Sequence, residues 1–278
     1  MDPLIEVAER LRKARSALAF TGAGISAESG IPTFRGEGGL WEAYPPSRFG
    51  HLPGLTIEWL LQPKKVARFL GDVLEAFLQA EPNPAHIALA GLERRGLLQG
   101  VITQNIDDLH ERAGTKRLIK LHGSLDRIRC LRCSKREEVP RERLKGWAEG
   151  LKRMKVGRKS LLEKLGEIVP RCPSCGSLRR PDVVFFGEGL PQEEWLRAVE
   201  GAKSTDLILV IGTSGEVYPA AELPWIAKRS GATVAVIDEA AALWASADLS
   251  ISGKAGPTLA ALLNAVIRNG QDALPTRT

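Results

Sequence analysis

The 278-residue sequence predicts an α/β fold: a parallel sheet with helices on both faces, interrupted by an inserted lobe. Three observations carry this. Apolar, β-rich runs at 16–20, 97–102, 207–211 and 233–237 alternate with helical patterns. Strands that are apolar along their whole length belong to a parallel sheet covered on both sides. The first run ends in Gly22-Ala23-Gly24-Ile25-Ser26-Ala27, a G-x-G-x-x-G/A turn of Rossmann-like type. Its glycines permit close backbone approach to a pyrophosphate, and free amides beyond them would bind the anion. Read alone, the turn has a second, lesser reading as a tight strand-to-helix connection with no ligand. The third observation is a departure: about 20 residues on, that pattern expects a strand ending in an acidic residue. Here the segment 38–46 is rich in Gly and Pro, so the chain leaves the sheet early and returns later.

In order, Asp2-Pro3 is a helix start, an N-cap followed by Pro in the first turn, and Leu4, Val7, Ala8 and Leu11 form one apolar face. Gly and Pro punctuate 36–53, and helices are predicted over 63–79 and 84–95. The run 97–102 is the next buried strand, and 117–121 another. A cysteine segment spans 130–175 and is followed by three β-rich runs, 181–186, 207–211 and 233–237. Helical patterns at 191–203 and 217–230 precede the last two of these. A strand near 248–251 and a helix near 257–268 close the domain.

Apolar content of 44% and charged content of 26% are ordinary for a globular protein. No apolar run approaches the ~20 residues a membrane span needs. Met1-Asp2-Pro3-Leu4 lacks the basic and apolar segments of a signal peptide, so a cytoplasmic location is expected. The net charge of +6 suits an anionic ligand but is mild for this length. Cys130-x-x-Cys133 and Cys172-x-x-Cys175, 38 residues apart, have the form of two zinc knuckles. Four thiolates fill a tetrahedral sphere, which makes the metal structural. Redox-active dithiols are the other reading. The basic stretch between the pairs carries a single aromatic, Trp147, too few for a base-stacking platform, so nucleic acid is not the expected partner.

Thr103-Gln104-Asn105-Ile106-Asp107 follows the 97–102 strand directly, and Leu121-His122-Gly123 comes shortly after. Polar residues behind a buried strand lie at the carboxyl edge of the sheet, where such folds place ligands. Asn105, Asp107 and His122 supply an amide, a carboxylate and an imidazole, a set able to orient and to exchange protons. Asp238, ending the 233–237 run, is the candidate for a ribose diol.

Together with Gly30-Ile-Pro-Thr-Phe-Arg-Gly36, Arg180-Pro-Asp-Val-Val-Phe-Phe-Gly-Glu188 and Gly212-Thr-Ser214, these motifs stand in the order seen in sirtuins. From about residue 5 to residue 265 the chain resembles that family of NAD-dependent protein lysine deacylases. The resemblance implies a Rossmann-like parallel sheet plus a small lobe made of a helical insertion and a four-cysteine zinc-binding insertion. The dinucleotide-binding domain would comprise 1–30, 83–128 and 178–278, and the lobe 31–82 and 129–177. The cofactors implied are NAD and Zn, with Cys130, Cys133, Cys172 and Cys175 as the metal ligands, and the partner is an acyl-lysine protein or peptide. No membrane partner is implied, and oligomeric state is not readable.

The resemblance also implies roles. His122 is the general base, and Asn105 orients the ribose and an active-site water. Asp107, with the backbone of Ile106, holds the nicotinamide carboxamide. Gln104 contacts the ribose. Gly22, Ala23, Gly24, Ser26, Gly212, Thr213, Ser214 and Asp238 receive the rest of NAD, Phe34 shields the reacting sugar and Arg35 contacts phosphate or ribose. Gly187, Glu188 and Gly189 on one side, and Glu216, Val217 and Tyr218 on the other, pair with the substrate backbone. Val183, Phe186 and Ile106 line the lysine tunnel. Where relatives that remove acidic acyl groups carry Tyr and Arg, this chain has Leu70 and Val73, so neutral acyl groups are expected. Asp238, in place of a common Asn, favours NAD over NADP. Transfer of ADP-ribose to protein, or NAD hydrolysis, shares the same chemistry and is the competing enzymatic reading. A non-catalytic NAD-sensing or nucleic-acid-binding module is the other.

Overall fold

The computed structural model describes residues 2–33, 39–153, 163, 166, 169–240 and 247–271. Six of its strands are β1 (Ala17–Thr21), β2 (Gly100–Thr103), β3 (Leu118–Lys120), β7 (Leu207–Ile211), β8 (Thr233–Asp238) and β9 (Leu249–Ser252). They form a parallel sheet in the order β3-β2-β1-β7-β8-β9. The remaining three are β4 (Gly123–Cys130), β5 (Arg136–Glu138) and β6 (Arg179–Val183). These make a second, antiparallel sheet in the order β5-β4-β6.

Alternating side chains bury both faces of the main sheet, as its continuously apolar strands require. Ala19, Val101, Leu209 and Ala235 face α1 (Pro3–Lys13), the helix Pro84–Arg94 and the C-terminal helix Ala255–Gln271, through Leu11, Leu89 and Leu262. Phe20, Ile102, Val210 and Val236 face the helices Gln192–Ser204 and Leu223–Arg229, through Ala198, Ala202 and Ala227.

Between residues 39 and 82 the chain is more helical than its Gly and Pro content suggests. It holds α2 (Leu40–Ala43), α3 (Pro46–Phe49), α4 (Leu52–Leu61) and α5 (Pro63–Gln79), three of which have Pro in the first turn. The helix Pro84–Arg94 that follows is α6, and a single short turn of helix after β2 is α7 (Leu109–Ala113). Helix α5 is the spine of the lobe. Phe77 and Leu74 pack on Ile128 of β4 and on Leu144 and Leu151 of α8 (Arg141–Lys152). Its other side, Val66 and Phe69, meets Phe49, Leu55 and Trp59.

One expectation needs correction. The 181–186 run is not a strand of the parallel sheet: β6 spans Arg179–Val183 and pairs antiparallel with β4. Only two of its five residues are apolar, and its other side chains are guanidinium and carboxylate groups. The glycine turn leads into a 3-10 helix, Ala23–Ser29.

Candidate active site

The carboxyl edge of the main sheet gathers most of the expected residues. Gly22 N donates to Ile211 O at 3.0 Å and Gly24 N to Gly212 O at 2.8 Å, so two glycine loops dovetail. A Cβ on Gly24 would lie 2.7 Å from Gly212 Cα, and one on Gly212 would overlap Ile25 N. Gly212 also has φ +59°, a left-handed conformation that glycine adopts without strain. Asp238 lies beside this cradle: Ile237, before it, accepts from Gly212 N at 3.2 Å. The Asp238 carboxylate accepts from Ala240 N at 2.9 Å.

The turn after β2 is held by buried side chains. Thr103 Oγ1 accepts from Asn105 N at 3.1 Å, and Asn105 Nδ2 donates to Gly22 O and Ser26 Oγ, both at 3.1 Å. Ser26 Oγ donates to Asp107 Oδ2 at 2.9 Å, and Leu109 N donates to Asp107 Oδ1 at 3.1 Å. The glycine turn and the 103–107 turn therefore form one hydrogen-bonded unit. Burial pushes the Asp107 carboxyl up, and the Leu109 amide and Ser26 hydroxyl oppose it. Gln104 Nε2 donates to Thr213 Oγ1 at 2.9 Å, joining the unit to the 212–214 loop.

His122 sits at the seam between the sheets, one residue before β4 and two after β3. Gly123 beside it has φ +79°, and a Cβ there would overlap Asp182 O. His122 Nδ1 is 2.8 Å from the Gln104 carbonyl, which can only accept, so Nδ1 carries the proton and Nε2 keeps the lone pair. Burial lowers the His122 pKa, and the bond to Gln104 opposes this. A neutral imidazole with a fixed tautomer is what a general base needs.

Among the residues expected to meet a peptide, Gly187 and Gly189 are exposed, and their backbone groups make no hydrogen bond among the described residues. The Glu188 carboxylate turns inward to Arg180. Tyr218 is exposed, whereas the Val217 carbonyl is taken by Ala221 N at 2.9 Å. Val183 is buried. Phe186 is exposed on one side, its ring 6.0 Å from that of Trp41. Ile106 O accepts from Leu125 N at 2.9 Å. Phe34 and Arg35 lie outside the described residues.

The four cysteine sulfurs lie within 4.8 Å of one another, with Cys130–Cys175 at 3.4 Å and Cys133–Cys172 at 3.6 Å. This is far beyond a disulfide bond of about 2.05 Å. It is close to the ~3.8 Å edge of a tetrahedron with Zn–S of about 2.3 Å. The Cys133 and Arg132 amides point at Cys130 Sγ and hold its thiol down. The donor set fits zinc.

Sequence reading missed a buried polar column beneath the site. Thr21 Oγ1 bonds Thr103 Oγ1 at 2.8 Å and His110 Nε2 at 3.0 Å, and the His110 ring stands edge-on to that of His86, 4.8 Å away. Asn83 caps α6 and donates to Ile25 O at 2.7 Å, tying that helix to the glycine turn. Asn between two prolines is a legible cap, but nothing in the spacing of His86 and His110 announces their contact.

Fold and site together define an NAD-type dinucleotide-binding α/β protein that also carries a four-cysteine cluster. The Sir2 family model matches residues 22–219. An NAD-dependent protein deacylase from Pyrococcus furiosus is 46% identical over 95% of this chain and 98% of its own. A Sir2 homologue in complex with ADP-ribose is 38% identical with a TM-score of 0.80, covering 97% of this chain and 99% of its own. Sir2Af2 bound to a myristoylated histone peptide is 35% identical with a TM-score of 0.70, covering 98% and 99%. The chain belongs to the Sir2 family.

Proposed function

We propose that this chain removes acetyl or other neutral acyl groups from protein lysines in an NAD-dependent reaction that yields nicotinamide, O-acyl-ADP-ribose and free lysine. The observation that carries this reading is His122, fixed as the Nδ1–H tautomer on Gln104 O. Gln104 is itself bonded to the Thr213 loop of the glycine cradle. NAD, when bound, supplies a ribose carbon that releases nicotinamide and accepts the acyl oxygen. The glycines of 22–24 and 212 let backbone approach the pyrophosphate, and Thr213, Ser214 and Asp238 offer hydroxyl and carboxylate contacts beside them. Asn105 and Gln104 orient the ribose, and Asp107 with the Ile106 backbone holds the carboxamide. Nε2 of His122 would take a proton from a ribose hydroxyl as that hydroxyl adds to the acyl carbon; the lysine amine would leave carrying a proton, and a water oriented by Asn105 would complete the O-acyl product. Phe34 and Arg35 are assigned to shielding and phosphate contact.

The peptide lies between 187–189 and 216–218 by strand addition. The open backbone of Gly187 and Gly189 supports this, and Val183, Phe186 and Ile106 bound the lysine channel. We assign 1–30, 83–128 and 178–278 to the large domain and 31–82 and 129–177 to the lobe, with β4 bridging the two. Four thiolates kept for a metal suit a reducing compartment, in keeping with a cytoplasmic location. Mass spectrometry of an acetyl-peptide reaction tests the activity: acylated ADP-ribose is expected, and ADP-ribosylated protein without it overturns the reading. His122→Ala should lower turnover at least about 100-fold, the usual scale of a general base.

A further inference from the structure

Strands β4 and β6 place Arg129 directly opposite Arg180. Like charges across a strand pair repel, and Arg180 is only 3% exposed, so water does not screen it. Its Nη2 donates to both carboxylate oxygens of Glu188 at 2.7 Å, and Arg129 Nη2 approaches Glu188 Oε2 at 3.5 Å. Glu188 is thus drawn inward to neutralise a buried guanidinium. That guanidinium also lies over the Phe185 ring, 5.2 Å from its centroid.

The same carboxylate shapes the loop that carries it. Phe185 N donates to Glu188 Oε2 at 3.1 Å, and Glu188 N donates to Phe185 O at 3.0 Å, closing a tight turn with Gly187 at φ +84°. One residue before this turn, Val184 N donates to His122 O at 3.0 Å, and Phe186 N donates to Gly50 O at 2.9 Å. Gly187 and Gly189 are left with exposed backbone groups that find no partner among the described residues. An open edge binds an extended chain well only if its conformation is set beforehand, because ordering it on binding costs affinity.

We propose that Arg180 is a positioning residue for the acyl-lysine peptide. Through Glu188 it locks the 185–189 turn, so that the Gly187–Gly189 backbone faces the cleft at a fixed offset from His122. This deepens the deacylase reading and rests on it. The pinned carboxylate also leaves Glu188 to meet substrate through its main chain alone.

The test compares Arg180→Met, Arg180→Lys and Arg129→Gln in steady-state deacetylation of an acetyl-lysine peptide of about ten residues, with thermal unfolding measured in parallel. Arg180→Met is expected to raise the peptide KM about tenfold, while kcat at saturating peptide and the KM for NAD stay within about twofold. Arg180→Lys, which keeps the charge but not the planar fork, should fall between. Arg129→Gln, at a partly exposed site, should raise the peptide KM about two- to threefold and keeps the proposal testable if Arg180→Met fails to fold. Unchanged peptide KM in folded variants, or equal losses in kcat and both KM values, overturns the proposal. Failure of the deacylase reading itself would appear separately, as wild-type protein that forms no acylated ADP-ribose.

Discussion

His122 shows how little of a reactive side chain's behaviour lies in its own identity. The Gln104 carbonyl decides which ring nitrogen carries the proton, and burial decides that the ring stays neutral. Because burial favours the uncharged form, the folded pKa lies below 6.5 and the base remains competent as pH falls through that value. The acidic limb of kcat/KM should therefore have its midpoint below about pH 6.5, and a midpoint above about 7 would contradict this environment. At Gly212 the residue scale is steric. A methyl group would overlap Ile25 N in a left-handed backbone, so Gly212→Ala should weaken ADP-ribose binding by at least about tenfold in titration calorimetry, at a strain of about 1–2 kcal/mol or more. Both residues are legible in the sequence, Gly212 from its place after a buried strand and His122 from its motif. His86 and His110 are not, because burial and ring contact between residues so far apart in the chain depend on how α6 docks.

At the scale of elements, the strands of the main sheet are readable because burial on both faces leaves an unbroken apolar run. The helices of 31–82 are harder, since α2 and α3 have only four residues each and begin amid Gly and Pro. The 181–186 run misleads for a physical reason: Val183 pairs into the antiparallel sheet and Phe185 packs on the cluster of Phe49 and Trp59, so neither serves a buried parallel sheet. Helix α5 makes a specificity prediction. Leu70 and Val73 pack against the cluster that holds Phe49 and Phe69, without a cation or hydroxyl of their own to offer. A succinyl carboxylate brought to that wall would be desolvated and unpaired, costing about 1–3 kcal/mol. Acetylated peptide should be turned over at least about fivefold faster than succinylated peptide at equal low concentration, and equal rates would exclude this placement.

Across the whole molecule, the site is divided between two sheets of different construction. The glycine cradle, Asn105, Asp107 and Thr213 belong to the six-stranded sheet, whose core does not include the cysteines. His122 leads into β4, and the 184–189 loop leaves β6. These two strands end in or near the cysteine cluster: Cys130 terminates β4, and Cys172 N donates to Ser177 O just ahead of β6. Loss of a structural metal should therefore act on one half of the site. The four thiolates would repel without the cation, the β4–β6 register would loosen, and the 185–189 loop and His122 would lose their shared offset. Treatment with a zinc chelator, or Cys172→Ser, should abolish deacylation and raise protease sensitivity between about residues 125 and 180. ADP-ribose affinity, assigned above to the glycine cradle, should remain within about threefold of the untreated protein. Parallel loss of ADP-ribose binding would show instead that the two sheets fold as one cooperative unit. Retention of full activity without metal would remove the four-cysteine lobe from any part in aligning the base with its peptide.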